Sequence, residues 1–244
     1  MAETRIQLCG AFVARIDGRR IERELPGRQG RLLFAYLAAN RLRSVSRAEL
    51  VEAVWFDDLP AAPDAALRAL LSKLRRLLAI EGRTELRLDL PEPAWVDLEA
   101  AVRAIHRAES AIAQGEWAEA WAPSQVALFV SERGFLVGED GPWIEAERRH
   151  LRELHVRALE AHGASCLGVG GTELPAAERV ARRLVEEEPY REAGHRLLME
   201  SLAATGNPAA ALRVYEDLRV RLREELGVAP SDAAQALHLR LLRA

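Results

Sequence analysis

A mainly α fold in two parts is what this chain of 244 residues predicts: a short N-terminal segment of β-sheet and helices, then an all-helical remainder. Three observations carry that expectation. Ala, Leu and Arg dominate the composition, and these side chains lose little rotamer freedom on a helical backbone. Residues 5–25 alternate apolar and polar side chains, which is the period of a strand. Near the C-terminus a pattern recurs after 34 residues, the period of paired helices that bury a face only by stacking on their neighbours.

Composition excludes several classes. Hydrophobic residues make up 49% and charged residues 29%, a balance suited to two modest cores in water. No apolar run approaches the ~18 residues that span a bilayer, so no membrane is expected as a partner. Met1-Ala2-Glu3-Thr4-Arg5 lacks the basic-then-apolar layout of a signal peptide. Cys9 and Cys166 are too far apart for a disulfide framework or a metal knuckle. These features predict a cytoplasmic protein. Lys73 is the only lysine and is followed by Leu74, which removes the phosphate loop that ends in Lys-Ser or Lys-Thr. Residues 1–90 hold 16 basic and 12 acidic side chains, a net of +4 that leaves −7 for the remainder. A mildly basic head on an acidic body fits a nucleic-acid reader joined to an interaction module.

In chain order, Ile6, Leu8, Phe12, Val13, Ile16, Ile21 and Leu25 give the small N-terminal sheet, with Asp17-Gly18 as a hairpin turn. Helical periodicity starts near Gln29, and Leu32, Leu33, Tyr36, Leu37 and Ala39 form one apolar face. Ser46 and Glu49 have the spacing of a reciprocal cap and open a second helix through Leu50, Val51, Val54 and Trp55. Asp57-Asp58-Leu59-Pro60 breaks it. A third helix is expected over residues 63–79, with Pro63 tolerated in its first turn.

Steps of about 100° per residue place Leu67, Leu70, Leu71, Leu74, Leu77 and Leu78 on one face of that third helix. Ala65, Arg68, Ala69, Ser72, Arg75 and Arg76 fall opposite, with Lys73 at the edge. Small side chains let a helix approach base edges, and arginine donates bidentately to guanine or holds phosphate. A solvated amphipathic helix has the same pattern, and the helix taken alone favours that plainer reading.

The order of elements says more. Ser44-Val45-Ser46-Arg47-Ala48-Glu49-Leu50 through Trp55, followed by Leu67-Arg68-Ala69-Leu70-Leu71-Ser72-Lys73-Leu74-Arg75, resembles the OmpR-like winged helix-turn-helix and its recognition helix. That resemblance implies double-stranded DNA as a partner. Arg68, Ser72 and Arg76 would face the major groove, while Arg47, Lys73 and Arg75 would meet the backbone. The Gly-Tyr pair that closes the family's wing is missing, which predicts a shortened wing with Arg83 and Arg87 near phosphate.

From Val96-Asp97 onward the chain reads as helices over about 97–114, 117–132, 142–167, 174–188, 190–205, 208–226 and 231–243. Pro175-Ala176-Ala177 recurs as Pro208-Ala209-Ala210, and Val180 and Leu184 recur as Val214 and Leu218. This predicts a tetratricopeptide-like repeat domain. Residues 133–141 read as a loop, and Trp117 and Trp143 as packing anchors of the repeats. The division expected is 1–95 and 96–244.

The run from Trp143-Ile144-Glu145-Ala146-Glu147-Arg148 through Glu187-Glu188-Pro189-Tyr190-Arg191-Glu192 to Glu224-Glu225-Leu226-Gly227-Val228 resembles the bacterial transcriptional activator domain. With the winged helix before it, the chain is similar to the antibiotic-regulatory (SARP) type of transcriptional activator. The resemblance implies promoter binding, a homodimer and contact with RNA polymerase. The alternative reading is a helical-repeat module for a protein or an unknown small effector, behind a degenerate winged helix that no longer binds DNA. Neither reading involves catalysis, a cofactor or a metal. Leu167-Gly168-Val169-Gly170-Gly171 follows a helix, which makes it a turn and not a phosphate loop, and His150, His155 and His162 lack metal-ligand spacing.

Overall fold

The computed structural model describes residues 3–243. Two compact units emerge: residues up to Ala101 with Val130–Leu151, and Val102–Phe129 with residues from Arg152 onward. The fold is mainly α, with a winged helix at the N-terminus and helical repeats at the C-terminus.

In the first unit, strands β1 (Thr4–Gln7), β2 (Val13–Ile16) and β3 (Arg19–Arg20) form a meander. Asp17 and Gly18, both at positive φ, turn β2 into β3, as the dipeptide predicts. Helix α1 (Gly27–Ala39) buries Leu32, Leu33, Phe34, Ala35, Leu37 and Ala38, a wider face than the periodicity predicts. Strand β4 (Val45–Ser46) leads into helix α2 (Arg47–Val54), where Ser46 and Glu49 make the reciprocal cap. Helix α3 (Pro63–Leu74) packs Leu67, Leu71 and Leu74 into the core. It ends five residues earlier than its leucine spacing implies, because Leu77 and Leu78 belong to the turn that follows.

The wing forms as two strands although the Gly-Tyr pair is missing. Strands β5 (Ala79–Glu81) and β6 (Glu85–Asp89) form an antiparallel hairpin, joined on its far side by β4. The turn needs Gly82: its φ is +87°, and a Cβ there would lie 1.8 Å from the Glu85 carbonyl oxygen. Strand β7 (Ala94–Val96) then joins β1 in parallel and completes a four-stranded sheet of order β3-β2-β1-β7.

Trp143 belongs to this unit too, which corrects its reading as a repeat anchor. Its indole N–H donates to the Ala53 carbonyl at 3.0 Å, and its ring meets Tyr36 and Phe135 edge-on. Arg148 donates to the carbonyls of Phe135, Leu136 and Glu139 at 3.1, 2.9 and 2.7 Å, fastening the 133–141 loop.

The helices that follow are α4 (Asp97–Ala113), α5 (Trp117–Ser131), α6 (Pro142–Val169), α7 (Leu174–Glu187), α8 (Glu192–Ala204), α9 (Pro208–Arg221) and α10 (Asp232–Leu241). In the second unit Trp117 covers Gly168, where a Cβ would come within 2.3 Å of the indole, so this tryptophan does anchor helix packing. The repeat is exact in its core. Helix α7 buries Ala177, Ala181 and Leu184, and α9 buries Ala211, Tyr215 and Leu218, each 34 residues on. His155, His162 and His195 are buried packing residues, and among the described residues no His, Cys, Asp and Glu group is arranged to hold a metal. No described helix is long and apolar enough to cross a membrane.

Candidate nucleic-acid interface

Helix α3 is positioned by α2, and α2 by its cap. The Ser46 hydroxyl accepts the Glu49 N–H at 3.2 Å, and the Glu49 carboxylate accepts the Ser46 N–H at 3.0 Å. Arg43 donates to that carboxylate at 2.9 Å, and the Tyr36 hydroxyl donates to it at 3.3 Å. The Arg43 guanidinium and the Ser46 N–H hold the Glu49 carboxyl well down, to about 2. This charge network locks the entry to α2 against α1. The Arg47 side chain stands 3.9 Å from Asp64 in the first turn of α3, a loose pairing between the two helices.

On α3 the three buried leucines leave Ala65, Arg68, Ala69, Ser72 and Lys73 exposed. Arg76, in the turn beyond the helix, is exposed as well. Among the described residues, Arg68, Ser72, Lys73 and Arg76 make no side-chain hydrogen bond or ion pair. That sets them apart on a surface where arginines such as Arg19, Arg28, Arg41, Arg43, Arg148 and Arg157 each bind a carboxylate. Residues 63–76 carry four cations against one carboxylate, Asp64, and exposed alanines keep the helix surface low.

Arg75 is used differently. It lies at the C-terminal end of α3, where its guanidinium donates to the carbonyls of Ile80 at 3.1 Å and Gly82 at 2.7 Å. It ties the helix end to the wing turn. Arg83 occupies the exposed wing turn with no side-chain partner among the described residues, whereas Arg87 pairs across the hairpin with Glu81 at 3.1 Å. The free cation of the wing is therefore Arg83. Its signal in the sequence is Gly82-Arg83-Thr84 between alternating apolar positions, a hairpin turn in an otherwise unremarkable stretch.

Residues 96–242 match the family model of the bacterial transcriptional activator domain. The chain belongs to that family. AfsR of Streptomyces coelicolor, a regulatory protein, is 32% identical over 228 residues, covering 88% of this chain and 22% of AfsR. The transcriptional regulatory proteins MoaR1 and EmbR of Mycobacterium tuberculosis are 29% and 28% identical, over 87% and 97% of this chain. The chain spans 71% of MoaR1, 62% of EmbR and only about a fifth of AfsR. The solved structure of Mycobacterium tuberculosis EmbR in complex with a low-affinity phosphopeptide superposes with a TM-score of 0.82 at 25% identity, over 99% of this chain and 65% of that one. These relatives carry regulatory names, none of them enzymatic. The SARP-type resemblance read from the winged helix and the C-terminal motifs together is borne out by this family match and these relatives.

Proposed function

We propose that this member of the bacterial transcriptional activator domain family regulates transcription by binding promoter DNA through residues 1–95, without enzymatic activity. The observation that carries the proposal is the exposed, unpartnered set Arg68, Ser72, Lys73 and Arg76, presented by a leucine-anchored helix and the turn that follows it, beside a wing tipped by Arg83. In this reading Arg68, Ser72 and Arg76 face base edges in the major groove. Lys73, Arg47 and Arg83 neutralise phosphates, and Arg75 acts through the wing it fastens. Residues 96–244 dimerise or meet RNA polymerase. A single module of this size buries only ~600–1,000 Å² on DNA, so a second protomer on an adjacent half-site about 10–10.5 bp away supplies the remaining affinity.

The test is a binding titration on promoter duplexes at several salt concentrations. Arg68→Ala should cost about 1–3 kcal/mol on the preferred duplex and little on random sequence. Lys73→Ala should weaken all duplexes alike and lower the salt slope by about one. Undiminished affinity after Arg68→Ala and Arg76→Ala together would remove α3 from the reading role. Sedimentation on a two-site duplex counts the protomers, and one protomer at saturation would defeat the dimer.

One observation favours the second reading. The helical unit holds an open cleft of about 610 Å³, lined by Ala164, Ala193, Arg196, Leu197, Ala233 and Leu237. A chain that ignores DNA and takes a peptide or a small effector there would be a helical-repeat binding module.

A further inference from the structure

We infer that the outward face of the N-terminal sheet binds a phosphoryl anion through Arg5, Arg15 and Arg20. The strand register places these three side chains in one row. Arg20 on β3 pairs directly with Arg15 on β2, Arg15 pairs with Arg5 on β1, and Arg5 pairs with Trp95 on β7. Adjacent strands are about 4.8 Å apart, so three guanidinium-bearing side chains cross the sheet within about 10 Å. The alternate residues Thr4, Ile6, Ala14 and Val96 are buried on the other face, which turns the arginine row outward.

Such an arrangement works against folding unless something answers it, because like charges directly opposite on neighbouring strands repel. The answer within the chain is partial. Arg20 bonds to Glu22 at 3.1 and 3.3 Å, and the Arg5 guanidinium lies 4.4 Å over the Trp95 ring. Arg15, in the middle, has neither, and its Nε is buried without a hydrogen-bond partner. A buried donor left unmade is costly, and native structures seldom keep one without a use.

The ligand follows from charge and shape. Three positive charges against the one carboxylate of Glu22 leave two unneutralised, which a phosphomonoester answers with about −1.5 to −2 at neutral pH and a pair of DNA phosphodiesters with one charge each. Its oxygens accept the paired N–H groups of a guanidinium fork, so one group bridges Arg15 and Arg5 while Trp95 holds Arg5 in plane. The phosphoryl group comes from a small phosphorylated molecule or from the backbone of bound DNA. This site is independent of α3.

The full chain and its Arg15→Gln variant decide the matter in two arms. In the first, pyrophosphate is titrated calorimetrically at low salt. Wild type is expected to bind one equivalent, and the variant at least tenfold more weakly. In the second, duplex DNA is titrated at several salt concentrations, with and without Arg68→Ala and Arg76→Ala. A fall in affinity on Arg15→Gln, with a salt slope lower by about one, assigns the phosphoryl group to DNA. Loss in the pyrophosphate arm alone assigns it to a small molecule. Should Arg15→Gln lose its far-ultraviolet circular dichroism, Arg5→Gln repeats both arms with Trp95 in place. Wild-type behaviour of the folded variant in both arms overturns the inference. A chain that ignores DNA still answers in the pyrophosphate arm, so failure of this site and failure of the α3 reading remain distinct.

Discussion

Asp97 and Cys9 are joined by a buried hydrogen bond across 88 residues of chain: the carboxylate accepts the Cys9 N–H at 2.8 Å. The same oxygen accepts the Leu8 N–H at 2.9 Å, and the other accepts the N–H of Leu98 at 2.9 Å. One side chain thus closes the end of β1 and opens α4. Burial pushes the Asp97 carboxyl above its ordinary range, opposed by these three backbone donors. Asp97→Asn keeps the shape but faces an amide N–H₂ toward a backbone N–H on one side or the other. It should cost about 1–3 kcal/mol, read as a lower denaturant midpoint.

Acid should loosen the entry to α2. Glu49 is held ionised down to about 2, against an ordinary value of 4.5. Its contribution is fully present above 4.5, where the carboxylate is charged in the folded and unfolded chain alike. It is lost as pH falls through the window between those two values, because the unfolded chain takes up its proton first. Glu49→Gln should lower the melting temperature at pH 7, and the two curves should converge toward pH 2. The effect is modest, since the Glu49 side chain is 38% exposed and partly screened by water.

Gly82→Ala should disrupt the wing. The added methyl group meets the Glu85 carbonyl at a backbone angle that L side chains rarely adopt, and a cost of about 1–3 kcal/mol is expected. Proteolysis should then cut between residues 79 and 89 first. Wild-type resistance in that segment would mean that the hairpin tolerates the strain.

Ala211→Leu tests the repeat register. Ala211 is fully buried on α9 and corresponds to Ala177 on α7. Leucine at this position should overpack the contact by about 1–3 kcal/mol and lower the melting temperature. An unchanged value would contradict the close packing of that helix.

Much of this architecture is local and therefore readable. Ser46 and Glu49 announce α2 through cap chemistry, Asp17-Gly18 announces the hairpin, and the 34-residue period places α7 to α9 within a few residues. The end of α3 is not local in that sense. Leu74, Leu77 and Leu78 continue a helical stripe, yet Leu78 is buried from the turn and not from the helix. The competing signal, Gly82 with Leu86 and Leu88 alternating after it, outweighs propensity only because β6 has β4 to pair with. Trp143 departs from what its sequence position implies for a related reason. A tryptophan at a helix start says that something is packed there, whereas only the tertiary structure says that Ala53, Tyr36 and Phe135 receive it. Among the candidate DNA contacts, spacing alone puts Arg68, Ser72 and Arg76 on one side. That Arg75 spends its donors on Ile80 and Gly82 depends on the wing and was not legible.

Lys73 stands exposed on α3 in a chain whose remaining basic residues are arginines, and both cysteines, Cys9 and Cys166, are buried. Acylating chemistry therefore has one lysine side chain to find, on the surface proposed above to meet phosphate. A single acetyl group there would remove a positive charge where no neighbouring lysine could share the loss. For the experimenter, a dye coupled through that amine becomes a reporter on the exposed side of α3, with no engineered residue required.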